Sequence, residues 1–150
     1  MDPTEYEYGY VVNVDAAVVR DGEYLLVERG ADEGHASGAL AFPGGKVEAG
    51  PDTADPLEST AAREVHEEVG VEVTAVEYVC SRSFEDDTGT PCLNVVTRCR
   101  YVGGKAHRAA PAEVAAVHWL TPDEVRSHEA APGYLVDYLD RVVASRGESG

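Results

Sequence analysis

Apolar residues follow two different rhythms along this chain. From Val11 to Val19 and from Tyr24 to Glu28 they are dense and β-branched, as in buried strands, and Asp21-Gly22 between them is a hairpin signal. Gly30 to Gly38 reads as a loop, and Ala39 to Phe42 as a short strand entering a glycine turn. From Pro56 to Val69 the spacing becomes helical: Leu57, Ala61, Ala62, Val65 and Val69 form one stripe at about 100° per residue. Glu72 to Ser83, Cys92 to Val102 and Val114 to Leu120 read as further strands, with the acidic stretch Phe84 to Pro91 and the pair Gly103-Gly104 as turns. Thr121-Pro122-Asp123-Glu124 opens a short helix, and Gly133 to Ala144 a closing one with Leu135, Leu139, Val142 and Val143 toward the core. This order predicts an α/β fold, a mixed sheet with helices on both faces, in one domain spanning residues 1–150.

The 56–69 helix carries its own start and stop signals. Asp55, Pro56 and Glu58 stand where an N-cap, an N1 proline and an N3 acid belong, and Gly70 follows the last turn. Asp55 is therefore expected to cap the helix with its side chain. Glu64, Glu67 and Glu68 are i, i+3 and i+4 neighbours, so they share the arc beside the core stripe, with Glu68 at its edge. Like charges at that spacing repel, and Arg63 is the only cation in the run. Hard divalent cations favour clustered carboxylate oxygens, and a bound ion would offset both the repulsion and the desolvation of an acid at a core edge. Upstream, Phe42-Pro43-Gly44-Gly45-Lys46-Val47-Glu48 provides a turn in which the absence of Cβ atoms allows close approach to a ligand.

Together, the glycine turn and the acidic helix resemble the Nudix box, G-x5-E-x7-R-E-U-x-E-E-x-G-U with U apolar. The half from Arg63 to Val71 matches at every fixed position. The first half departs from it: Gly45 and Arg63 are four positions further apart than in the family pattern. The family's first glutamate falls on Asp55 when counted back from Arg63 and on Pro51 when counted forward from Gly45. The cap logic places the extra residues in the loop Gly50 to Ala54 and makes Asp55 a cap rather than a ligand.

The resemblance implies an α/β/α sandwich and Mg²⁺-dependent hydrolysis, with Mn²⁺ able to substitute, of a diphosphate linkage in a nucleoside diphosphate derivative. It implies Glu64, Glu67 and Glu68 as metal-binding acids, the Gly45 carbonyl as a further ligand and Arg63 as the residue that orients the acids. For the general base it offers either a box glutamate (Glu64 or Glu67) or an acid from a distant loop. Glu113, in Ala110-Pro111-Ala112-Glu113-Val114, occupies the place of such a distant acid, and Glu85, Asp86 and Asp87 are a second loop candidate. Glu48 matches an acid often found just after the turn and reads equally as a solvated loop residue. Tyr10, Phe42 and Trp119 could stack on a base, although lone aromatics in strands usually pack in the core.

The family's substrate marks, a proline or a tyrosine fifteen to eighteen residues past the box, are not met, since that window runs from Asp86 to Gly89. A short chain of this kind suits free nucleotides: modified nucleoside triphosphates first, ADP-ribose or a nucleotide sugar second. A Nudix-fold module that binds a nucleotide without cleaving it is the rival of another class, and the intact acids argue against it.

Charge narrows the partners. With 28 acidic residues against 12 basic ones, the net charge of −16 argues against nucleic acid, which requires a cationic footprint. Only Lys46 and Lys105 are lysines, and both a salt-adapted surface and an arginine-rich composition account for that. Apolar runs fall short of membrane-spanning length and the acidic start lacks the cationic region of a signal peptide, so no membrane contact and a cytoplasmic location are expected. Cys80, Cys92 and Cys99 lack metal spacing and read as free thiols in strands; the histidines, His35 among them, likewise lack ligand spacing. A homodimer is compatible with the sequence.

Overall fold

A computed structural model of the chain describes residues 8–30, 37–50 and 52–148. His35 and most of the predicted 30–38 loop lie outside them. The order is β1 Val11–Arg20, β2 Glu23–Arg29, β3 Leu40–Ala41, β4 Gly44–Lys46, α1 Pro56–Val69, β5 Glu72–Glu85, β6 Pro91–Gly103, β7 Val114–Leu120, α2 Pro122–Arg126 and α3 Gly133–Glu148. The strands form one seven-stranded mixed sheet with the central order β3-β2-β1-β6-β5; β4 pairs with β1, and β7 with β2. β1 runs parallel to β6 and antiparallel to β2 and β4.

β1 is buried on both faces, which explains its nearly continuous apolar run. Alternation sends Val14, Ala16 and Val18 to one side, where they meet Ala61, Val65 and Val69 of α1. Ala17 faces the other way and joins Val125 of α2 and Leu135, Leu139 and Val142 of α3. The helices thus cover both faces, and the predicted α/β/α sandwich is the observed one. Among the described residues no helix is long and apolar enough to cross a membrane.

What positions the site is a fork in the sheet. β1 and β2 pair only beside their hairpin, at Val19 with Tyr24 and Arg20 with Glu23. Beyond that they diverge: β4 takes over the β1 edge from Asn13 to Asp15, and β3 takes over β2 at Val27 and Glu28. Backbone bonds from Ala16 N to Pro43 O (2.8 Å) and from Val47 N to Val12 O (2.9 Å) fasten the glycine turn into the opening. Gly44 lies so close to β1 that a Cβ would meet the Val14 carbonyl and the Asp15 side chain. β4 itself was not predicted, because Gly44-Gly45-Lys46 has no intrinsic preference for a strand and is held extended only by β1.

The two helix starts correct one expectation. Asp55 does occupy the cap position of α1, but its backbone is left-handed (φ 51°, ψ 52°) and its side chain makes no cap hydrogen bond. An N-cap side chain reaches the N2 or N3 amide only from an extended backbone, so this conformation turns the carboxylate away. Thr121 has that backbone (φ −71°, ψ 161°), and its hydroxyl accepts from Glu124 N at 3.2 Å while Glu124 returns a bond to Thr121 N at 2.9 Å. Thr121→Ala is therefore expected to cost about 1 kcal/mol, whereas Asp55→Ala should cost no cap energy; urea denaturation of the two variants distinguishes them.

Of the predicted α1 stripe, Ala61, Val65 and Val69 are buried along with Thr60, while Leu57 and Ala62 are half-buried. The acidic 84–91 stretch is a loop over residues 86–90, with β5 reaching Glu85 and β6 starting at Pro91 on either side of it. There Asp86 Oδ1 accepts from Thr88 N and Thr90 N, both at 2.9 Å, and from Thr88 Oγ1 at 2.7 Å.

Candidate active site

Two of the three box acids converge on the glycine turn. Glu68 Oε2 accepts a hydrogen bond from Gly44 N at 3.2 Å. The Glu64 carboxylate oxygens lie 2.7 Å from where a Cβ of residue 45 would stand, so only glycine leaves room for that acid. α1 docks its stripe on β1 beside the fork, with Glu64 and Glu68 against the glycine turn. Glu67 stays exposed at the rim, close enough that its charge disfavours ionisation of Glu64. The arc expected from helix spacing therefore splits into an inner pair and an outer acid.

Arg63 reaches one acid of the inner pair, Glu64. Its guanidinium donates to Glu64 Oε1 at 3.2 Å and to the Lys46 carbonyl at 3.4 Å, and it stands 3.8 Å from Glu48 Oε2. Arg63 thus joins the helix acid to the strand after the glycine turn, and Glu48 belongs to the site only as this exposed ion-pair partner.

The electrostatics fit a cation. Burial pushes the Glu68 carboxyl up to about 8, and the charges of Glu64 and Glu113 push the same way, against the Gly44 hydrogen bond and Arg29. Glu64 is raised as well, first by burial and then by Glu67 and Glu113, with Arg63 opposing. Glu113, on the far side of the fork next to β7, is thus within electrostatic reach of both inner acids; its carbonyl accepts from Gly30 N at 2.8 Å. Among the described residues no three histidine, cysteine or acidic side chains already stand close enough to hold a metal. The donors that do converge are the Glu64 and Glu68 carboxylates against the Gly44-Gly45 backbone, oxygen ligands suited to a hard divalent ion.

Other candidates sit elsewhere. Asp86 is committed to its turn, and Glu85 ends β5. Phe42 is buried, Tyr10 exposed, and Trp119 half-buried beneath Arg20. Cys80 and Cys99 are buried free thiols and Cys92 is a half-buried one.

One polar cluster escaped the sequence reading. Asn13 Nδ2 donates to Asp15 Oδ1 (3.1 Å) and Asn94 Oδ1 (2.7 Å), and Asn94 Nδ2 donates to Asp15 Oδ2 (3.0 Å). Desolvation pushes Asp15 up to about 6, against these two amides and Arg29. Asp15 backs directly onto Gly44, so the cluster braces the turn from the α3 side. Its signal was available: Asn13 and Asp15, two residues apart in an apolar strand, must share a face. Arg29, whose charge favours ionisation of both Asp15 and Glu68, was also missed.

A seven-stranded mixed sheet between helices, with paired helix carboxylates set on a glycine turn, defines a class of hydrolytic enzyme. The chain belongs to the Nudix family: the family model described as NUDIX domain matches residues 9–139. It is 36% identical over 129 residues to a MutT-like protein of Streptomyces ambofaciens, covering 86% of this chain and 75% of that one. It is 35% identical over 124 residues to a CTP pyrophosphohydrolase of Escherichia coli, covering 81% and 84%. The crystal structure of a MutT protein from Methanosarcina mazei superposes with a TM-score of 0.74 at 26% identity, over 94% of this chain and 98% of that one. The chain is accordingly an enzyme of the Nudix pyrophosphohydrolase type, and the non-catalytic binding module falls away.

Proposed function

We propose that this enzyme cleaves a diphosphate linkage in a nucleoside triphosphate, modified ones included, with Mg²⁺ as cofactor and Mn²⁺ able to replace it. The observation that carries the reading is the Glu64 and Glu68 pair pressed against the Gly44-Gly45 turn, with Glu68 held far above the usual carboxylate range. Glu64, Glu68 and the Gly45 carbonyl would hold the ion, with Glu67 closing on it from the rim; it would neutralise phosphate charge and make a water more acidic.

The chain's own residues do the rest. Arg63 fixes the Glu64 carboxylate and resists its rotation away from the turn. Glu113 takes the proton of the attacking water as the new oxygen–phosphorus bond forms, and the bridging oxygen leaves with the electrons of the broken bond. Glu113 suits this role because its charge reaches both inner acids while it makes no bond to the turn among the described residues.

A panel of nucleoside triphosphates, ADP-ribose and a nucleotide sugar, assayed for released phosphate and pyrophosphate with Mg²⁺ or Mn²⁺, tests the substrate. The relative named a CTP pyrophosphohydrolase puts CTP first in the panel. Glu113→Gln is expected to lower turnover by about 10²- to 10⁴-fold with metal affinity nearly kept. Near wild-type turnover in that variant, together with loss in Glu64→Gln at saturating metal, would move the base to the box helix.

A further inference from the structure

At the opposite end of β1 from the glycine turn, the surface holds an open cavity of about 550 Å³ lined by Arg20, Tyr101, Gly104, Lys105, Ala106 and Trp119. The Arg20 guanidinium lies 4.0 Å above the Trp119 ring and 5.1 Å from the centre of the Tyr101 ring, and the two rings meet edge to face at 5.7 Å. Its volume is in the range of small-molecule sites. Along β1, Arg20 is roughly 20 Å from Val14, the residue paired with Gly45, at a strand rise of about 3.3 Å per residue. The cavity lining includes none of Glu64, Glu68 and Glu113, although its Gly104 wall packs against Gly70 at the end of α1.

Its charge is the reverse of the molecule's. This chain has 28 acids against 12 cations, yet the cavity lining contains two cations and no acid. Arg20 stands opposite Glu23 across the hairpin, but among the described residues neither Arg20 nor Lys105 makes an ion pair. Stacking engages the face of the Arg20 guanidinium, and among the described residues no acceptor takes its in-plane N–H donors, the edge that pairs with oxyanions. Lys105, exposed on the loop after β6, adds a point charge, and the Tyr101 and Trp119 rings offer flat apolar surface beside it.

We propose that this cavity is a second anion site, taking a phosphate group either free or carried by a mononucleotide. It stands independently of the hydrolytic reading, since neither the acid pair nor Glu113 contributes to it. The phosphate oxygens accept from the Arg20 edge and from Lys105, and a nucleotide's base would lie against the aromatic wall.

Trp119 is the chain's single tryptophan and reports the site directly. The metal-free protein is titrated with inorganic phosphate and with CMP at constant ionic strength, following tryptophan emission. A saturable change is expected with both. Tighter binding of CMP means that the base stacks, and equal binding means that phosphate alone is recognised. Lys105→Glu, which leaves the rings untouched, should weaken binding by about tenfold or more, as should Arg20→Met if it folds by circular dichroism. Glu68→Gln should leave the titration unchanged. No saturable change up to millimolar ligand, the same affinity in Lys105→Glu, or loss of the response in Glu68→Gln would each overturn the proposal. Hydrolysis is measured separately, so its absence would count against the catalytic reading and not against this one.

Discussion

In a Glu64→Gln, Glu68→Gln double variant, turnover is expected to fall by on the order of 10³-fold while the metal-free protein melts at a higher temperature. The two effects have one cause. Glu68 is desolvated beside Glu64 and within reach of Glu113, an arrangement that disfavours the folded state until a cation arrives. Glutamine removes the charges but keeps a carbonyl oxygen to accept the Gly44 N–H, so the turn need not move. Loss of the carboxylates removes the donors that hold a divalent ion, and with them the electrostatic stabilisation of the cleaved phosphate. Damage to the fold would lower activity and melting temperature together. Calorimetry in EDTA alongside a phosphate-release assay reads both, and retained hydrolysis would sink the assignment of this pair.

The second large effect is a dependence of stability on pH. Glu68 is raised from 4.5 to about 8. Between those values the folded protein keeps a proton that the unfolded chain has released, so stability falls as pH rises through that window. Below about 4.5 the contribution is fully present; above 8 it is lost. Asp15, raised from 3.8 to about 6, adds a contribution of the same sign at lower pH. The total is on the order of a few kcal/mol. Glu68→Gln should flatten the profile between pH 6 and pH 8, and Asp15→Asn the part below 6. Metal binding must displace the Glu68 proton, so metal affinity should climb up to about pH 8 and saturating Mg²⁺ should remove the slope. Denaturant titrations in EDTA that show constant or rising stability from pH 6 to pH 8 would contradict the burial of Glu68.

Much of this fold is legible without coordinates because local and global signals agree. α1 has a proline at N1, an apolar stripe and a glycine stop, and its bounds Pro56–Val69 are those expected; β7, Val114–Leu120, likewise. What stayed hidden depends on tertiary contact. β4 exists because β1 offers it an edge, and Asp55 adopts a left-handed backbone that residue type and spacing do not announce. Spacing alone put Glu64, Glu67 and Glu68 on one arc; which two face inward depends on how the helix docks on the sheet. Asn94 meets Asp15 across 79 positions of sequence, a distance no local pattern spans.

The parallel pairing of β1 with β6 has a consequence for how the molecule assembles. Asn13 bonds to Asn94 across 81 positions, and nine residue pairs from Val11↔Cys92 to Val19↔Arg100 share that separation. The centre of the sheet therefore closes only after most of the chain has been synthesised, and loop closure over that length is slow. Until β6 arrives, the β1–β2 hairpin presents a bare, strongly apolar edge, the kind of strand that pairs with other chains. Refolding yield should accordingly fall with protein concentration, and the vulnerable species is a chain whose glycine turn is in place before the strand that braces it from behind.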